Sequence, residues 1–229
     1  MYNICQSFRL KNKNKKISYS QCGEDLIVDY IFRCLKIDNP SYIDVGAHDP
    51  FYLSNTALFY LNGSTGINID ADPTLINKFR KYRKLDINLN VGVSDSDGYM
   101  DFYIMNPPTL NTFSKAEALK LKDDYGYEII KVIKIHTKNI SKLIDEYCKG
   151  IFPDYLTIDA EGIEIDILKN INFTKNYPKV ICCETISYSE NGNGVKNNDI
   201  IKYLEKNGYI VYADTYINTI FVREQLWRR

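Results

Sequence analysis

Acids and one histidine stand in, or just after, several short apolar runs of this chain: Asp44, His48, Asp70, Asp159, Glu161 and Glu184. A carboxylate at a strand end can accept hydrogen bonds from the hydroxyls of a ribose. An acid or a neutral imidazole beside a hydroxyl can take its proton. Neighbouring acids can also hold a divalent cation. Which of these chemistries applies depends on the elements that carry the residues.

The central stretch is Tyr42-Ile43-Asp44-Val45-Gly46-Ala47-His48-Asp49-Pro50. An apolar run that carries one acid and ends in glycine reads as a buried parallel strand entering a ligand-binding turn. Gly46 permits a conformation, or a close ligand approach, that a β-carbon would block. About twenty residues on, Gly66-Ile67-Asn68-Ile69-Asp70 is a second short strand ending in an acid, the layout for a nucleoside. The full G-x-G-x-x-G pattern is missing, since no further glycine follows until Gly63. A pyrophosphate wants those glycines and disfavours an added acid such as Asp49. One ribose with a zwitterionic tail fits better, which points to S-adenosylmethionine. The competing reading is an ordinary buried strand and turn without a ligand.

The bulk numbers narrow the classes. The 229 residues suit one domain with a substantial core, expected over 18–229 after a basic arm at 1–17. Lys+Arg and Asp+Glu both number 29, so no net basic field recruits nucleic acid. No apolar run approaches the roughly 20 residues of a membrane span, and the first residues lack an apolar signal core. The six cysteines form no C-x-x-C and have no zinc spacing; they read as reduced thiols of a cytoplasmic protein. The arm, with Arg9, Lys11, Lys13, Lys15 and Lys16, is either a solvated terminus or a surface drawn to anionic lipid or polymer.

The elements that must position the acids follow in order. Leu26, Ile27, Tyr30, Ile31, Cys34 and Leu35 recur at helical spacing after Ser20 and Gln21. Glu24 and Asp25 favour the start of that helix; Gln21 and Glu24 either serve it or face the ligand. Ser54-Asn55-Thr56 starts a helix through about Leu61, which offers free N–H groups to a carboxylate. Pro73 opens a basic helix through about Arg83, Ile87–Ser94 is a third strand, and Tyr99–Met105 alternates as an exposed antiparallel strand. Residues 106–128 are an irregular insertion on the acceptor side, a substrate lid or a passive loop. Ile129–Ile135 is a strand, and a helix follows Asn139. Tyr155-Leu156-Thr157-Ile158-Asp159-Ala160-Glu161-Gly162 repeats the strand-acid-glycine pattern, and Val180–Thr185 brings Glu184 to the same rim. Asn197–Asn207 is a helix, and Tyr209–Ala213 and Thr219–Arg223 are the last strands. These units predict an α/β fold with a mostly parallel, doubly wound sheet and a reversed edge strand.

Three stretches together resemble the FkbM-type family of S-adenosylmethionine-dependent methyltransferases: Tyr19–Asp25, Tyr42–Pro50 with Ser54-Asn55-Thr56, and Leu156–Glu164. Asn90–Asp95 also fits, and the similarity runs from about Tyr19 to Val222. Asp70-Ala71 stands where the pattern usually has Glu-Pro. The resemblance implies a Rossmann-like class I methyltransferase fold with seven strands and O-methylation of sugars or natural products. It implies that Gly46 lies against the methionine part of the cofactor and that Asp44 orients its amino group directly or through water; Ala47 and Gln21 are further expected cofactor-binding residues. Asn55 would sit near its carboxylate, Asp70 would bind ribose, and Gly92 and Val93 would border the adenine. Asp159 and Glu161 would lie close to the transferred methyl.

A sugar hydroxyl needs to lose its proton during transfer, so His48, Asp159, Glu161 and Glu184 are the candidate bases. His48 is either that base or a hydrogen-bonding residue of the cofactor turn. Asp159 and Glu161 act as base, or hold a divalent cation that acidifies the hydroxyl (Asp159 being the expected ligand), or only organise a turn and cap a helix. His136 is expected to be structural. The expected activity is O-methylation of a sugar hydroxyl in a glycan or glycan precursor. A non-carbohydrate acceptor, a binding module without turnover and a nicotinamide-dependent oxidoreductase are the alternatives.

Overall fold

The computed structural model describes residues 15–189 and 191–228. Of the basic arm expected at 1–17, residues 1–14 lie outside the described residues; 15–17 are exposed and in neither helix nor strand.

Apolar strands alternate with helices over most of the chain. The elements are α1 (Glu24–Cys34), β1 (Tyr42–Val45), α2 (Ala57–Leu61), β2 (Gly66–Ile69), α3 (Pro73–Tyr82), β3 (Ile87–Leu89), β4 (Gly92–Ser94) and β5 (Gly98–Asn106). There follow α4 (Lys115–Tyr125), β6 (Glu128–Asn139), α5 (Ile140–Cys148), β7 (Tyr155–Ile158), α6 (Glu164–Lys169) and β8 (Val180–Glu184). The chain closes with α7 (Asn198–Lys206), β9 (Tyr209–Asp214), β10 (Asn218–Arg223) and α8 (Glu224–Trp227).

Seven strands form one sheet in the order β3-β2-β1-β7-β8-β10-β9. The first five are parallel, and β10 runs antiparallel to both β8 and β9. The reversed strand thus stands one place in from the sheet's end, with β9 folded back outside it. Every residue of β1 and β7 is buried, which is why these strands are continuous apolar runs rather than alternating ones. One face packs Ile140, Leu143, Ile144, Ile167, Leu168, Ile200 and Leu204 from α5, α6 and α7. The other packs Val28, Ile31 and Phe32 of α1 with Phe59 of α2. Helices on both faces make the sheet doubly wound.

Two expectations need correction. The strand expected over Ile87–Ser94 is broken: β3 stays in the large sheet, whereas β4 joins a second sheet of order β4-β6-β5. At the departure the Asn90 side chain, between the two strands, donates to the carbonyls of Asp70 (3.0 Å) and Ala71 (2.9 Å) and holds the chain there. Residues 106–128 are also more regular than expected, because 115–125 form α4. Ser114 accepts from the Glu117 amide, Ala118 and Leu121 are buried, and Gly126 ends the helix at φ 76. A serine followed three residues later by glutamate is a capping-box spacing, the signal that marks this helix in the sequence.

Candidate active site

The register of the parallel strands assembles the site. Val45 pairs with both Ile69 and Ile158, and Ile158 pairs with Cys183. The next residue along each strand is therefore Gly46, Asp70, Asp159 or Glu184, at one carboxyl edge of the sheet, where ligands bind in open parallel sheets. A cavity of about 380 Å³ opens there. Every residue expected at the site lines it: Gln21, Asp44, Gly46, Ala47, His48, Asn55, Asp70, Gly92, Val93, Asp159, Glu161 and Glu184. His136 does not; it is exposed on β6, its ring 5.2 Å from that of Tyr99.

Gly46 has φ 78, and a β-carbon there would lie 1.7 Å from the Asp159 carbonyl oxygen. The glycine is required first by the neighbouring strand tip. Asp70 is gripped from below: Oδ2 accepts from the His48 amide (2.8 Å) and Oδ1 from the Asp72 amide (2.7 Å). Burial raises its pKa to about 7 against those two bonds. Asp44 Oδ2 accepts from the Thr56 hydroxyl at 2.6 Å, and burial lifts Asp44 to about 6. Burial lowers the pKa of His48, so its imidazole is neutral near pH 7 and free to accept a proton.

The helix expected to offer free amides behaves differently. It is one short turn, α2, and Ser54 Oγ takes the amides of Thr56 (3.4 Å) and Ala57 (3.2 Å). Asn55 instead donates through Nδ2 to Thr157 Oγ1 at 3.0 Å, which leaves its amide oxygen for other contacts.

Asp159, Glu161 and Glu184 present carboxylate oxygens that all lie within 4.8 Å of one another. Burial, then the charges of Glu164 and Asp44, raises Asp159 to about 7. Burial and the neighbouring acids raise Glu161 and Glu184 well above the ordinary glutamate value. Glu161 sits at φ 51, and its carbonyl accepts from Thr112 Oγ1 at 3.0 Å.

Several contributors were hidden in the sequence. Glu164 organises the turn after β7, accepting on Oε1 from the amides of Ala160 (2.9 Å) and Gly162 (3.0 Å). Glu24, expected either to serve the helix start or to face the ligand, serves the framework: it is buried and accepts from Thr215 Oγ1, the Cys22 amide and Asn218 Nδ2. Phe102 and Phe113, with ring centroids 4.6 Å apart, form an apolar wall beside Gly92. Beneath the site, Arg83 is fully buried and pairs with Asp86 (2.9 Å), Tyr42 (2.7 Å) and Thr56 Oγ1 (2.9 Å). The Arg83–Thr56–Asp44 chain thereby ties the cavity floor to the core. Arg83 followed three residues later by Asp86 is the local trace of this pair.

The sheet order and its acid-lined carboxyl edge define a Rossmann-like methyltransferase fold. The Methyltransferase FkbM domain matches residues 44–211, and the chain belongs to that family. Among solved structures, the chain is similar to an FkbM methyltransferase from Methylobacillus flagellatus KT, with 12% identity and a TM-score of 0.47 over 81% of this chain. It spans only 44% of that chain. It is also similar to a TehB-like SAM-dependent methyltransferase from Corynebacterium glutamicum (11% identity, 97% of each chain, TM-score 0.45). A third is a putative caffeoyl-CoA O-methyltransferase from Staphylococcus aureus (9% identity, 96% of this chain and 90% of that one, TM-score 0.45). No curated protein matches the chain. No helix among the described residues is long and apolar enough to cross a membrane.

Proposed function

We propose that the chain is an S-adenosylmethionine-dependent O-methyltransferase acting on a sugar hydroxyl of a glycan or glycan precursor. One observation carries the reading: successive strand tips put a ribose-type acid, Asp70, and the acids Asp159, Glu161 and Glu184 around a single cavity.

The residues suit the cofactor. A volume of about 380 Å³ lies in the range of small-molecule sites. The lining holds several acids and no Lys or Arg among the described residues, which suits a ligand whose sulfonium and ammonium outnumber its carboxylate. Asp70 would accept from the ribose hydroxyls, and Asp44 would face the ammonium. Gly46 and Ala47 would border the methionine part, with Asn55 and Gln21 near its polar end. Gly92 and Val93, with Phe102 and Phe113, would border the adenine. When bound, the cofactor supplies an electrophilic methyl group.

The protein's own task is to hold the acceptor hydroxyl in line and remove its proton. His48, neutral near pH 7, is suited to take it, as is Asp159, poised near 7, where no cation holds its carboxylate. Grouped half-buried carboxylates each accept a hydroxyl, which favours a polyhydroxylated acceptor over one with a single oxygen.

Calorimetric titration with S-adenosylhomocysteine tests the cofactor assignment, with saturable binding expected for the native chain and at least about tenfold weaker binding for Asp70→Ala. Absence of heat from the folded protein would overturn it. Transfer of labelled methyl to nucleotide sugars and glycans, compared with phenols and carboxylic acids, tests the acceptor class. Turnover confined to the latter would overturn the carbohydrate assignment.

A further inference from the structure

The charge of the cavity is unbalanced. Its described lining carries Asp44, Asp70, Asp159, Glu161 and Glu184, with no Lys or Arg. Two of these acids are satisfied by the protein: Asp44 by the Thr56 hydroxyl, Asp70 by two backbone amides. The other three face one another, with ligand oxygens all within 4.8 Å. Three like charges at that separation require protons or a cation between them.

A second observation lies beside them. Asn218 lines the same cavity, is 3% exposed, and its Oδ1 has no hydrogen-bond partner. Its Nδ2 donates to Glu24 Oε1 at 3.2 Å, and because a carboxylate can only accept from it, the amide cannot be turned round. Asn218 pairs with Glu184 across β10 and β8, which puts their side chains on the same face of the sheet. A buried carbonyl oxygen without a donor, next to a group of carboxyls whose only mutual bond is the one between Asp159 and Glu184, is an atom waiting for something positive.

The donor set identifies the class. Carboxylates and an amide carbonyl, with no thiol or imidazole among them, select a hard cation over zinc or copper. Magnesium holds oxygens at about 2.0–2.1 Å, which separates ligand atoms by roughly 3 to 4 Å, and calcium's longer bonds spread them somewhat further. The observed grouping admits either spacing.

We propose that Asp159, Glu161 and Glu184 bind one divalent hard cation, Mg2+ or Mn2+, with the Asn218 carbonyl oxygen as a neutral donor beside them, and that this ion seats the acceptor through its oxygen atoms. The seating of the acceptor rests on the methyl-transfer reading; the binding of the ion does not. An acceptor with two adjacent oxygens, as in a sugar diol, suits such an ion, since both can enter its coordination shell.

The experiment uses the full chain, stripped with chelator and dialysed, with Mn2+ as the probe. Titration is followed by the electron paramagnetic signal of free Mn2+, with and without S-adenosylhomocysteine. One saturable site is expected. Glu184→Gln and Asp159→Asn should weaken it about tenfold or more, and Asn218→Ala by less. Circular dichroism confirms that the variants are folded, and the two acid variants remove like charges, so they retain the fold. A folded native chain without saturable Mn2+ binding overturns the proposal, as does binding unchanged in both acid variants. The two readings fail separately. Homocysteine-product binding without Mn2+ binding leaves the methyltransferase and removes the ion, with the acids contacting hydroxyls directly; the converse leaves the ion and removes the methyltransferase.

Discussion

Gly46→Ala isolates the close approach on which the cavity is built. An alanine β-carbon would stand 1.7 Å from the Asp159 carbonyl oxygen and 2.8 Å from its carbon. No rotamer change relieves this, because both partners are backbone. The tips are also pinned, with the Gly46 amide on Ile69 (3.0 Å) and the Asp159 amide on Val45 (3.0 Å). Two costs add: the left-handed φ of 78, worth about 1–2 kcal/mol for a non-glycine residue, and forced repacking, worth about 1–3 kcal/mol. The total is about 2–5 kcal/mol, or roughly 4–20 °C in Tm for a chain of this size. Gly162→Ala is the matched control, since it has φ 103 and nothing within 4 Å of the added carbon. It should cost only the conformational part, about 1–2 kcal/mol. The gain from a stiffer unfolded chain is common to both and cancels in the difference. Urea unfolding followed by circular dichroism gives both values. Equal destabilisation by the two substitutions would refute the claim that the Asp159 strand tip, rather than chain conformation alone, demands glycine at position 46.

Arg83→Met should destabilise by about 3–5 kcal/mol, because it leaves Asp86, fully buried, without its cation; urea unfolding in which Arg83→Met and Asp86→Leu cost the same singly and together adds the test that they act as a pair. In the absence of ligand, stability should fall as pH rises from about 5 to 7. Asp44, Asp70 and Asp159 keep protons in the folded state, with values of about 6, 7 and 7 against an ordinary 3.8, that the unfolded chain has already released. His48 is held below its ordinary 6.5 and contributes the opposite slope, as one group against these three and the likewise raised Glu161, Glu164 and Glu184. Calorimetric Tm against pH checks this, with a shallower fall expected for Asp159→Asn; a flat or rising curve would contradict the burial of these acids. Ser114→Ala should cost about 1 kcal/mol, seen as faster amide exchange over 115–125, because it removes the cap on the Glu117 amide.

The strands that carry the site were legible because burial on both faces writes a local signal. Tyr42–Val45, Tyr155–Ile158 and Val180–Glu184 are short apolar runs punctuated by acid and glycine, and register alone then gathers their tips. The family resemblance added roles for Asn55, Gly92 and Val93, whose lining of the cavity depends on folding rather than on any local pattern. What escaped was non-local or weakly patterned. Helix α4 buries only Ala118 and Leu121 and is studded with lysines, so its periodicity is faint. Arg83 reads as the exposed end of a basic helix until Tyr42, Thr56 and Asp86 close around it. Asn90 looks like one more strand residue, and its bonds to two carbonyls of the neighbouring turn, made where the chain passes to the second sheet, are not legible locally.

The two sides of β1 divide the electrostatic labour. Below it, Asp86 collects Arg83, the Tyr42 hydroxyl, the Gly66 amide and Asn68 Nδ2. That charge is buried and fully answered, the condition under which a buried pair holds a structure together. Above it, the acids are buried but only partly answered, and Asn218 Oδ1 is not answered at all. With Arg83 committed to Asp86 and no Lys or Arg in the described lining, the cavity is left to be neutralised from outside. Affinity for a cationic ligand and instability without one then have the same physical origin. Placing a lysine at the rim would relieve the second only by removing the first.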